Sequence, residues 1–258
     1  MKLKVMGFSS PGKREEQQDS FQYELKGMTA VAVVCDGMGG MVGGSLASRY
    51  AVNRFMHDYK QESKDSNIIS FLKHEVIRLD DAVFQMKDPE GNQLGAGTTL
   101  VAAIIRDMHL YWLSVGDSKL YIYRNHTLRC MTREHNYRLV LDEMKDNECL
   151  TEEGYRKEAE RADGLISFLG MGNVKVFDVN ECPFNIQDGD RFLLCSDGIY
   201  KTITDDFLEE LFQEYEGNLK DLMDIMEQMI DENDIENQDN ATLLLLTADE
   251  GDVLEKRV

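Results

Sequence analysis

The stretch that most constrains this chain is Val31-Ala32-Val33-Val34-Cys35-Asp36-Gly37-Met38-Gly39-Gly40. Five small apolar residues read as a strand buried on both faces. The strand then stops on a carboxylate followed by three glycines within four residues. Glycine has no side chain to shield its carbonyl, so Gly37 can itself offer an oxygen ligand. A lone Asp-Gly is an ordinary hairpin turn, but here the design recurs. Phe192-Leu193-Leu194-Cys195-Ser196-Asp197-Gly198 repeats it, and Asp239-Asn240 before Ala241-Thr242-Leu243-Leu244-Leu245-Leu246 inverts it. In an antiparallel sheet, two strands ending in Asp and one beginning with Asp present all three carboxylates at the same edge. Such a cluster would cost several kcal/mol in a partly dry site without compensation. Hard divalent cations remove that cost, and all-oxygen ligation selects Mg²⁺ or Mn²⁺ over zinc.

The 258 residues, 42% hydrophobic, are enough for one large core and a single domain. A formal charge of −20 argues against nucleic acid and anionic membrane surfaces as partners. No 18-residue apolar run and no apolar stretch behind Met1-Lys2 are present, so neither a membrane span nor a signal peptide is expected. The cysteines, Cys35, Cys130, Cys149, Cys182 and Cys195, are dispersed and odd in number, which suits a reducing, intracellular setting. Cys35 and Cys195 end apolar strands and read as small buried thiols.

Along the chain, residues 3–8 and 21–25 alternate as strands. A helix follows Gly43-Gly44, with Val52, Phe55, Met56 and Tyr59 at helical spacing; a second carries Leu72, Val76, Leu79, Val83 and Met86. Strands are predicted at Thr98–Ile105, His109–Val115 and Lys119–Arg124, linked by hairpin turns. Residues 134–162 are highly charged and read as one or two short surface helices, a flap over the body. Strands are again predicted at Leu165–Phe168, Val174–Val179 and around Phe192, then helices at Asp205–Tyr215 and Leu219–Ile230, an acidic loop to Asn240 and a last strand. Helices arriving in pairs between hairpin-linked strands point to an α+β architecture: two packed antiparallel sheets flanked by helices.

Six motifs stand in order: Arg14-Glu15-Glu16-Gln17-Gln18-Asp19, Asp36-Gly37-Met38-Gly39-Gly40, Gly97-Thr98-Thr99, Gly116-Asp117-Ser118-Lys119, Ser196-Asp197-Gly198-Ile199 and Asp239-Asn240-Ala241-Thr242. Together, over about residues 7–247, they resemble a metal-dependent protein serine/threonine phosphatase of the type-2C (PPM) family in its short bacterial form. The resemblance implies a four-layer α-β-β-α sandwich, with residues 1–250 as one catalytic domain and 251–258 as a charged C-terminal tail. It further implies two Mn²⁺ or Mg²⁺ ions bridged by Asp36, with the Gly37 carbonyl on the second and Asp197 and Asp239 completing the first. Asp19 and Gln18 would stand in the outer shell, orienting bound waters. Arg14 would hold the substrate phosphate, for which a guanidinium fork suits two oxygens. Gly97-Thr98-Thr99 and Gly116-Asp117-Ser118 would be turns near the site, with Asp117 at a third, weaker metal position. The implied reaction is direct attack of a metal-bridging hydroxide on phosphoserine or phosphothreonine, without a phospho-enzyme. The implied partners are phosphorylated proteins, a Ser/Thr kinase among them; a cytoplasmic monomer is expected.

The departures are Gln17 where the family commonly has Asn, Gln18 where some members have Glu, Met38 where many eukaryotic members have His, and Thr132-Arg133-Glu134-His135-Asn136 for the usual Asp-His-Ser form. His135 reads as a hydrogen-bonded loop residue. Lys201 stands where an aspartate for the third metal is expected, and either pairs with Asp117 in place of that ion or points to solvent. Two other functions compete: a catalytically weak member acting as a regulatory phosphoprotein-binding module, and a hydrolase of small phosphoesters. The first would be expected to have lost Asp36, Asp197 or Asp239, and all three are present.

Overall fold

The computed structural model describes residues 2–39, 43–63, 65–215 and 218–249; Gly40 of the second motif and the charged tail lie outside them. The strands are β1 (Lys2–Ser10), β2 (Asp19–Lys26), β3 (Thr29–Met38), β4 (Gly97–Thr98), β5 (Leu100–Arg106), β6 (His109–Val115), β7 (Lys119–Arg124), β8 (Thr127–Cys130), β9 (Asp178–Val179), β10 (Phe184–Asn185), β11 (Asp190–Cys195) and β12 (Ala241–Asp249). The α-helices are α1 (Gly43–Gln61), α2 (Ile68–Phe84), α3 (Tyr137–Asp146), α4 (Glu152–Glu158), α5 (Asp197–Tyr200), α6 (Asp205–Glu214) and α7 (Leu219–Asp231).

The strands form two antiparallel sheets. The five-stranded sheet runs β1-β12-β11-β7-β8; the seven-stranded sheet runs β10-β6-β5-β3-β2, with β4 on β3 and β9 on β6. Residue alternation sorts the side chains into three apolar layers. Val31, Val33 and Cys35 of β3 meet Phe55 of α1 and Leu72 and Leu79 of α2. Their alternates Ala32 and Val34 meet Phe192, Leu194, Leu244 and Leu246 across the gap between the sheets. On the far face Leu193, Leu243 and Leu245 pack under Phe212 of α6 and Met226 of α7. This explains why antiparallel strands here read as continuous apolar runs: both faces of each central strand are covered. The expected four-layer sandwich is what the chain forms.

Helix starts follow their local chemistry. Asn67 caps α2 through its side-chain oxygen on the Ser70 N–H at 3.0 Å, and Thr204 caps α6 on Phe207. Three details differ from expectation. A strand, β8, follows β7 through the tight turn at Asn125-His126, both at positive φ. A single helical turn, α5, begins at Asp197 itself.

The predicted strands Leu165–Phe168 and Val174–Val179 shrink to isolated bridges and the two-residue β9. Between them the buried carboxylate of Asp80 in α2 holds the chain in a loop, accepting the N–H groups of Gly170, Gly172 and Val174 at 2.7, 3.1 and 2.8 Å, the last a donor from the start of the second predicted strand.

Candidate active site

Asp19 and Asp36 lie opposite each other in the β2–β3 register, at the end of the seven-stranded sheet. Asp197 follows β11 and Asp239 precedes β12, at the matching end of the other sheet. A glycine at each end allows the backbone there to pack closely against its own neighbours. A Cβ on Gly37 would sit 2.1 Å from the carbonyl oxygen of Gly44 in α1, and one on Gly198 would sit 2.1 Å from that of Asn240. No larger residue fits either place, which gives both Asp-Gly motifs a packing reason.

Between the ends opens a cleft of about 680 Å³. Asp36, Asp117, Asp197 and Asp239 line it, with Arg14, Glu15, Glu16, Gln18 and Lys201 around them and Met38, Leu165 and Phe168 as apolar wall. Asp19 stands behind, buried, one oxygen accepting from the Ser196 hydroxyl at 2.7 Å and the other without a hydrogen-bond partner. Burial raises its carboxyl to about 7, hydrogen bonds from Ser196 and Thr242 pulling the other way and Asp197 and Asp239 adding repulsion. Burial, then Asp19, Asp197, Asp117 and Asp239 in turn, hold the Asp36 carboxyl well above the carboxylate range. Asp117 is lifted to about 6 by burial and by Asp197, against the pull of Lys201.

Among the described residues no three His, Cys, Asp or Glu side chains close into a ready cation cage. The carboxylates expected at one edge surround one cleft, and two of them are held by cations of the chain. The Arg14 guanidinium donates to Asp239 at 2.8 Å, and the Lys201 ammonium to Asp197. The Lys201 ion pair corrects both expectations for that residue: its partner is Asp197, four residues back on α5, in place of Asp117 or solvent. Arg14 and Lys201 are both more than half exposed, so either can swing away at little cost. The donor set therefore fits hard divalent ions: all oxygen, four carboxylates on one cleft, a buried oxygen of Asp197 with no hydrogen-bond partner, and mutual repulsion that a cation would relieve.

Further residues of the motifs, given no individual role by motif reading, hold the site. Asn240 accepts from the Gln18 N–H at 2.8 Å and donates to the carbonyls of Pro11 and Glu16, binding the loop that carries Arg14 to the last strand. Thr99 accepts the Asp36 N–H at 2.9 Å and shares a 2.7 Å hydrogen bond with Ser118, while Thr98 donates to the Asp36 carbonyl. Sequence offered only their place beside the Asp and Gly residues as a signal.

Comparison with known proteins agrees with this architecture. A family model described as Protein phosphatase 2C matches residues 7–243. The serine/threonine phosphatase stp of Listeria monocytogenes is 30% identical over 231 residues, covering 88% of this chain and 88% of that protein. The structure of the S. agalactiae serine/threonine phosphatase superposes with a TM-score of 0.77 at 20% identity, over 96% of this chain and all of that one. The catalytic domain of the serine threonine protein phosphatase PstP, in complex with 2 manganese ions, superposes with a TM-score of 0.71 at 24% identity, over 96% of this chain and 99% of that domain. The end of a two-sheet sandwich ringed with carboxylates defines a class of metal-dependent hydrolase sites. Within that class, the chain belongs to the protein phosphatase 2C family.

Proposed function

We infer that this chain is a protein serine/threonine phosphatase that hydrolyses phosphoserine and phosphothreonine in proteins at the carboxylate cleft, using two Mn²⁺ or Mg²⁺ ions. The observation that carries the reading is the placing of Asp36, Asp197 and Asp239 on one cleft with the Arg14 guanidinium beside them. Asp36, the Gly37 carbonyl, Asp197 and Asp239 would hold the ions, with Asp19 and Gln18 behind them and Asp117 at a third position. When bound, such ions activate water for attack on phosphorus and neutralise charge on the phosphoryl oxygens.

The chain's own groups do the rest. Arg14, released from Asp239, presents two N–H donors to phosphate oxygens. Thr98 and Thr99 fix the backbone on both sides of Asp36, so that its carboxylate need not reorganise during reaction. The exposed rim leaves room for a peptide on either side of the phosphoresidue.

A Ser/Thr kinase among the substrates, a monomeric state and a cytoplasmic location belong to the same proposal. Dispersed cysteines, all free among the described residues, support the last. No helix among the described residues is long and apolar enough to cross a membrane. The decisive assay is hydrolysis of a phosphothreonine peptide with Mn²⁺, with and without chelator. Turnover that stops on chelation and returns with Mn²⁺ is expected; turnover that survives exhaustive metal removal would refute the reading.

A further inference from the structure

We propose that His135 is a positioning residue for this reaction: its neutral imidazole, protonated on Nε2, clamps the Gly116–Asp117 turn to the base of the helical flap spanning residues 137–163. The proposal rests on the phosphatase reading of the cleft. His135 is completely buried. Its Nδ1 lies 3.1 Å from the backbone N–H of Gly116, a group that can only donate, so Nδ1 carries a lone pair and the ring proton sits on Nε2. Nε2 lies 3.3 Å from the Asp178 carboxylate without an aligned hydrogen bond to it, and that neighbouring charge favours a proton on Nε2. Arg133 holds that same carboxylate in place.

The main chain of His135 completes the clamp. Its N–H donates to the Gly116 carbonyl at 2.9 Å, so one residue satisfies both polar groups of Gly116. Gly116 has φ +98, and a Cβ there would strike Thr99 at 2.6 Å, so the turn has no slack of its own.

From the turn, hydrogen bonds lead inward. The Asp117 carbonyl accepts from the Tyr200 hydroxyl at 3.2 Å; Ser118 bonds Thr99, and Thr99 accepts the N–H of Asp36. On the outward side the His135 carbonyl accepts from Ile166 at 2.9 Å, and Asn136 bridges Leu165, a wall residue of the cleft. His135 thus sits where both ends of the flap join the turn that supports Asp36.

The experiment compares the parent with His135→Asn, whose side-chain oxygen can take the place of Nδ1, and His135→Gln, whose longer amide reaches toward Asp178 and leaves Gly116 without an acceptor. With Mn²⁺ and a phosphothreonine peptide, the Gln variant is expected to lose about tenfold or more in kcat with KM changed by less than about threefold, and the Asn variant to keep kcat within about threefold. Two readouts need no activity. Long-range ¹H–¹⁵N correlation of the parent should show Nδ1 unprotonated. Amide exchange at Gly116 should be slow in the parent and the Asn variant and fast in the Gln variant.

Equal kcat in all three folded proteins, or a proton on Nδ1, overturns the proposal. If the Gln variant does not fold, the Asn variant decides: a folded Asn variant with kcat down about tenfold overturns it, and one near the parent supports it. A parent with no activity on the peptide overturns the phosphatase reading instead, while the tautomer and exchange readouts still judge the clamp.

Discussion

Glu75→Gln should stabilise this protein at pH 8 and leave it nearly unchanged at pH 5. The Glu75 carboxyl in α2 is completely buried, pressed against Arg78 and close to Asp58 of α1, which Arg54 engages at 2.7 Å. Burial raises it from 4.5 to about 7, with attraction to Arg78 working the other way and Asp58 adding to the rise. An unfolded glutamate releases its proton as pH passes 4.5, whereas the folded one keeps it until about 7. Across that window the native state binds more protons than the unfolded state, so stability falls as pH rises and levels off above 7. A gap of about 2.5 pH units corresponds to roughly 3 kcal/mol.

Glutamine has the same shape and no charge, so the variant escapes that loss. For a chain of this size the gain corresponds to about 5–10 °C in melting temperature at pH 8, against little at pH 5. Asp19 and Asp117 are raised over an overlapping range, so the test is the difference between variant and parent, followed by thermal melting at pH 5, 6.5 and 8 with saturating Mn²⁺. A difference that does not grow with pH would show that Glu75 is not the buried acid described.

The other expectations concern the cleft and its support. Asp36→Ala, Asp197→Ala and Asp239→Ala should each lower phosphopeptide turnover by about a hundredfold or more while far-ultraviolet circular dichroism stays that of the parent; a variant with near-parent turnover would remove that residue from the site. Lys201→Ala frees the Asp197 oxygen that Lys201 occupies, so Mn²⁺ affinity measured by calorimetry should rise a few fold, as about 1 kcal/mol of competition from a half-exposed pair implies; unchanged or weaker binding would refute the competition. Asp80→Ala strands three N–H donors and should cost about 3 kcal/mol in urea denaturation; a loss under about 1 kcal/mol would mean water replaces the carboxylate.

Much of this could be read from the chain because the central strands obey simple rules. Val31–Cys35 and Leu243–Leu246 are apolar without interruption because helices cover one face and the other sheet covers the opposite one. The Asp-Gly pairs mark the strand ends, and the structure brings Asp36, Asp117, Asp197, Asp239 and Arg14 to one cleft as the motifs led one to expect. What could not be read depends on partners distant in sequence. The 165–179 segment alternates well enough for strands, but its middle, at Gly170, Gly172 and Val174, is tied to Asp80, about ninety residues away. Lys201 and Asp197 are four residues apart, a spacing that signals a pair only in a helix, and Asp197-Gly198 reads as the end of a strand. Asn240 and His135 matter through bonds to backbone groups that no spacing reveals.

The pairing of β1 with β12 has a consequence for how the enzyme is made. Nine residues at the start of the described chain, Lys2 to Ser10, lie in register with Asp249 to Ala241 at its end, and β12 is wedged between β1 and β11. During synthesis β1 is therefore made long before β12, its one sheet neighbour among the described residues, and Arg14 waits for Asp239. Contacts this remote form late and slowly. A polypeptide interrupted anywhere before residue 239 lacks a carboxylate of the cleft, the strand that fastens the N-terminus, and the Asn240 amide that holds the Arg14 loop. The site is therefore assembled only after Asp239 and β12 have been made, and a chain that stops short of them has no means of removing phosphate from anything it meets.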